Sequence, residues 1–94
     1  MYFILHYQTI NNFIEKREKY RAEHLEKVRD AFKNQYLVLG GALENPENEA
    51  LLVFECEDRS IVEDFAKNDP YVVNNLVTSW SVRKWNVVIG NTLN

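Results

Sequence analysis

Two stretches of this chain are apolar on both of their faces, and that limits the folds open to it. Residues 2–7 (Tyr-Phe-Ile-Leu-His-Tyr) and 50–56 (Ala-Leu-Leu-Val-Phe-Glu-Cys) carry large side chains at almost every position. A strand that packs on one side and meets water on the other alternates with a period of two. These two do not alternate, so each is expected in a sheet hidden from water on both sides.

The other segments supply only part of that cover. Charges dominate residues 13–33, while Arg21, Leu25, Val28 and Phe32 recur at the spacing of one helical face, predicting a long helix. Residues 36–39 read as a strand that stops or bulges at Gly40-Gly41, where the chain needs positive φ or a close neighbour. Residues 44–49 (Glu-Asn-Pro-Glu-Asn-Glu) have turn composition and make a hairpin of the strands on either side. Ser60 followed by Glu63 is a capping-box pattern opening a shorter helix, with Ile61, Val62, Phe65 and Ala66 as its apolar stripe. Asp69-Pro70 starts a further helical turn through about Leu76, and residues 77–89 close the chain as a strand.

The order β-α-β-β-α-β, read as a single domain over residues 1–94, predicts an α+β ferredoxin-like fold: a four-stranded antiparallel sheet with two helices on one face. Helices on one face leave the other bare, so the sheet is expected to close against a second copy, giving a homodimer joined through its sheets. A chain of 94 residues also gains stability from a second burial step.

Composition narrows the partners. Eleven Lys and Arg against fourteen Asp and Glu give a net charge of −3, the wrong sign for a nucleic-acid partner. The opening apolar residues are too few for a secretory signal, and no run approaches a membrane span, so neither export nor a membrane is expected. The single cysteine, Cys56, fits a reducing compartment, and the cytoplasm is the expected location. Cys56 itself reads as a small core residue. Two histidines without a Cys/His/Asp cluster at ligand spacing predict no metal, His6 included, and no cofactor motif is present. Ser79 and Ser81 lack a nucleophile elbow, and Gly40-Gly41 lacks the lysine and following helix of a phosphate loop.

One helix face breaks its own pattern. With His24 at zero and about 100° per residue, Val28 falls near 40°, Ala31 near −20°, Tyr20 near −40°, Arg17 near 20° and Arg21 near 60°. A histidine and two arginines therefore share the side where hydrophobes are expected, and such breaks tend to mark functional sites. The plainer alternative has both arginines snorkelling to nearby acids and His24 inert at the helix edge. Asp69 likewise has a structural reading as the cap before Pro70. In a split β-α-β-β-α-β fold the helices lie side by side, so Asp69 can meet His24, and a carboxylate on one imidazole nitrogen makes the other a general base.

Arg21-Ala22-Glu23-His24-Leu25, Gly40-Gly41 and Asp69-Pro70-Tyr71, in this order and at these separations, resemble the YciI-like (YCII-related) family over nearly the whole chain. The resemblance implies a dimeric α+β barrel and a His–Asp pair, here His24 and Asp69, with Arg21 in the adjoining motif. Gly40, Gly41 and Tyr71 are expected to complete the substrate-binding surface. Ala42 stands where the family often has a proline, which bears on the rim of the pocket. The implied function is a small cofactor-free enzyme, an isomerase, lyase or dehydrochlorinase-like catalyst that moves a proton on a small polar or aromatic substrate. The alternative is a non-catalytic dimeric module that binds a small ligand or another protein.

Overall fold

The structure is a computed structural model and describes residues 1–90; the last four residues of the predicted span lie outside it. Strand β1 (Tyr2–Thr9) is followed by α1 (Phe13–Lys16), a 3₁₀ turn (Arg17–Tyr20) and α2 (Arg21–Lys33). Then come β2 (Leu37–Ala42), β3 (Glu49–Glu55), α3 (Arg59–Asn68), α4 (Pro70–Val73) and β4 (Val77–Trp85). The strands form one antiparallel sheet in the order β2-β3-β1-β4, so the expected β-α-β-β-α-β architecture is present.

The two continuous apolar strands are the central pair. In β1, Phe3, Leu5 and Tyr7 point to the helices and face Phe54, Leu52 and Ala50 of β3, all six buried. Helix α3 lays Val62, Phe65 and Ala66 on this surface, with Phe65 edge-on to Phe54 at 5.2 Å. Tyr71 of α4 meets Phe13 of α1 in a T-shaped contact at 5.3 Å, closing the layer where the two crossovers approach each other.

Several local expectations are corrected. The long helix is interrupted by the 3₁₀ turn, and its apolar stripe is rotated. Tyr20, Val28 and Ala31 pack on the core, whereas Phe32 is 62% exposed. The packed residues bracket His24 in angle, so His24 sits at the centre of the inward face rather than at its border. Strand β2 runs through both glycines instead of stopping, with its irregularity between Leu37 and Leu39. Neither glycine has positive φ; Gly40 is there because a Cβ would lie 3.2 Å from Leu52 Cγ. Helix α3 starts earlier than predicted, capped by the Asp58 carboxylate on the Ser60 N–H rather than by Ser60. That backbone bond holds the Asp58 carboxyl below its usual range. Strand β4 ends at Trp85, so residues 86–89 are not strand.

Candidate active site

Asp69 is placed by ordinary capping chemistry. Pro70 fixes the first helical φ of α4, and the carboxylate turns back to accept from the Tyr71 N–H at 3.0 Å. The same oxygen, Oδ1, lies 2.8 Å from Nδ1 of His24, and Oδ2 accepts from the Tyr7 hydroxyl at 2.7 Å. Asp69 is 0% exposed, so these groups replace the water that an ionised carboxylate would otherwise hold.

The other partners of Asp69 constrain its contact with His24. Burial first, then the neighbouring Asp69 charge and hydrogen bond, push the Tyr7 hydroxyl well above the ordinary tyrosine range, so it remains a donor. With Tyr7 and the Tyr71 amide both donating to Asp69, a hydrogen on His24 Nδ1 would give the carboxylate its third donor. Nε2 is the ring nitrogen that Asp69 does not contact. The imidazole is further fixed by stacking on the Tyr71 ring, 3.8 Å between centroids at an interplanar angle of 14°. Its side chain is 13% exposed, enough to reach a ligand and little enough to be held.

His24 lines a cavity of about 360 Å³, at the small end for organic ligands. Arg17, Arg21, His24 and Tyr71 supply polar groups, and Ile14, Leu25, Val28 and Leu52 supply apolar walls. Gly40, Gly41 and Ala42 line it from β2, with Leu43, Glu44 and Glu47 on the following loop. Five of the six residues expected at the site, His24, Arg21, Gly40, Gly41 and Tyr71, therefore share one hollow. The sixth, Asp69, does not line it but is hydrogen-bonded to three residues that do, His24, Tyr7 and Tyr71.

Sequence reasoning missed Tyr7. Its inward phase follows from alternation with Phe3 and Leu5, but nothing local distinguishes a hydroxyl that meets Asp69, 62 residues away, from one that meets water. His6 lies apart, on the sheet face away from the helices, 2.7 Å from Glu49. Cys56 is buried just beyond β3; burial pushes its thiol up and its Sγ lies against the Asp58 carbonyl. Among the described residues, no three His, Cys, Asp or Glu side chains converge as a metal site would require. No helix among them is long and apolar enough to cross a membrane.

The fold has a solved counterpart. It is similar to 5-chloro-2-hydroxyhydroquinone dehydrochlorinase from Burkholderia phenoliruptrix AC1100, solved in complex with 2,5-dihydroxybenzoquinone, with a TM-score of 0.76 and 20% identity. The match covers 92% of this chain and 94% of that one, so the likeness is of whole folds rather than of a shared fragment. No curated protein matches the chain in sequence. The model of the YCII-related domain spans residues 1–86, taking in every element from β1 to β4, and the chain belongs to that family.

Proposed function

We propose that the protein is a small cofactor-free enzyme in which His24, oriented by Asp69, moves a proton on a small polar or aromatic substrate. The observation that carries this reading is the fully buried Asp69 carboxylate on His24 Nδ1, with His24 itself lining a cavity. Nε2 takes a proton from carbon or oxygen of the substrate, and the resulting imidazolium is stabilised by Asp69. Arg21 steadies the negative charge left on the substrate. The proton then returns at another atom, giving isomerisation, or the electron pair expels a leaving group, giving a lyase or dehydrochlorinase-like elimination. The elimination branch is supported by the activity named for the structural neighbour, whose fold this chain shares.

The reading includes a homodimer. Ile4, Leu51 and Val53 lie on the sheet face opposite the helices, with Leu39 (63% exposed) and Trp85 (47% exposed) beside them. The described helices all pack on the other side, so a second copy of the same sheet is the proposed cover.

The dyad is tested by ¹⁵N NMR of the His24 ring in the parent and in Asp69→Asn. The expected result is an Nδ1–H tautomer in the parent and a changed tautomer and titration in the variant; identical behaviour overturns the dyad. Catalysis is tested with a panel of small phenols, carboxylic acids and chlorinated quinols. Turnover of a hit is expected to fall by about 100-fold or more in His24→Gln. A hit that stabilises the protein but is never consumed leaves the binding-module reading in its place.

A further inference from the structure

Buried polar side-chain atoms nearly always have partners, and each exception calls for a reason. Two exceptions lie in the cavity beside His24: Nε of Arg17 and the hydroxyl oxygen of Tyr71 are buried and make no hydrogen bond. The Tyr71 ring is 3% exposed and held between His24 and Phe13, so its hydroxyl is aimed by packing on both sides. Burial pushes the pKa of this hydroxyl up, while the charges of Arg17 and Arg21, with Arg21 near enough to interact with it directly, pull it down; both arginines line the same cavity. Among the described residues, no carboxylate lies within ion-pair distance of either arginine. Glu44 and Glu47 line the same cavity but stop short of them.

We propose that this cavity selects a small organic anion whose charged oxygen is borne by an sp² carbon, a carboxylate or a phenolate, and that Arg17, Arg21 and the Tyr71 hydroxyl hold that oxygen. The inference deepens the proposed function and rests on it for what His24 then does; the binding step itself stands on the unpaired donors. A planar guanidinium matches such a group with parallel N–H bonds, and charge-assisted bonds are the strong ones. The apolar walls fit a ring or short chain behind the charged end. Arg17 becomes a substrate-positioning residue, and Tyr71 acts through its hydroxyl in addition to its stacking on His24.

The test uses the full chain and two matched probe pairs in calorimetric titrations at low salt. Benzoate is compared with benzamide, and 4-nitrophenolate with 4-nitroanisole, so the two arms separate carboxylate from phenolate recognition. At least one anion is expected to bind tenfold or more tightly than its neutral partner. Arg17→Gln and Tyr71→Phe are each expected to weaken that anion tenfold or more, whereas Arg29→Gln, an exposed arginine of α2, leaves it unchanged. In the unmutated protein, the Arg17 Nε–H resonance is expected to shift on saturation with the anion, a readout independent of how any variant folds. Failure of both anions to bind, equal binding of the neutral partners, or an unmoved Arg17 signal overturns the proposal. A normal His24 tautomer with no anion preference sinks this inference alone. Anion binding with a His24 ring indifferent to Asp69→Asn sinks only the dyad.

Discussion

Tyr7 holds one oxygen of a carboxylate that no water reaches, and its removal separates support from chemistry at the scale of a single residue. Tyr7→Phe keeps the ring but leaves Oδ2 of Asp69 without its donor, an unsatisfied buried acceptor costing about 1–3 kcal/mol of stability. Chemical denaturation at neutral pH measures that cost. The sign at high pH follows from the raised hydroxyl: the unfolded chain loses this proton near the ordinary value of 10.0, the folded chain does not. Its stabilising effect is therefore full below about pH 10 and declines by about 1.4 kcal/mol per pH unit above it. Tyr7→Phe is expected to show a correspondingly shallower alkaline loss than the parent, and identical slopes would contradict the assignment. His24 was legible because it puts a polar residue on an apolar face; Asp69 read locally as the cap before Pro70, and its place beside His24 followed from the split fold and the family resemblance. Tyr7 carries none, since an aromatic in an apolar strand needs no special reason. Arg17 was visible on the helical wheel, but its unpaired Nε required the tertiary fold.

At the scale of elements, the two adjacent glycines of β2 do different work. A methyl group on Gly41 would touch nothing within 4 Å, while one on Gly40 would meet Leu52 at 3.2 Å. Gly41→Ala is expected to leave stability unchanged or raise it by about 0.5 kcal/mol by restricting the unfolded chain. Gly40→Ala is expected to lower it by about 1 kcal/mol, because Leu52 has to give way in a packed layer. Thermal melts of the two variants check the contrast, and equal effects would contradict it. The glycines were recognised as special in sequence, but only the register shows that Gly40 faces Leu52 and Gly41 faces Leu51 on the opposite side of the sheet. Helix phase was legible to within one side chain. A fixed step of about 100° carried the stripe through Phe32, whereas the packed side follows Tyr20, Val28 and Ala31. The Asp58 cap went unread because a capping-box pattern at Ser60 and Glu63 competed with it, and the carboxylate two residues earlier won.

For the whole molecule, the order of strands and helices was readable because β1 and β3 carry large apolar side chains on both faces. That same property makes a strong prediction about assembly. Leu51→Lys puts a charge in the middle of the uncovered sheet face without touching the helix side. Light scattering after gel filtration is expected to give a dimer for the parent and a monomer for this variant; a monomeric parent would refute the assembly. The arrangement around Asp69 also ties integrity to chemistry across the chain. One oxygen atom both anchors the first turn of α4 and holds the imidazole of α2, so fraying of that turn also releases the His24 ring. Solvent exchange at the Tyr71 amide therefore clocks how often the contact between Asp69 and His24 is open, with no ligand needed to take the reading.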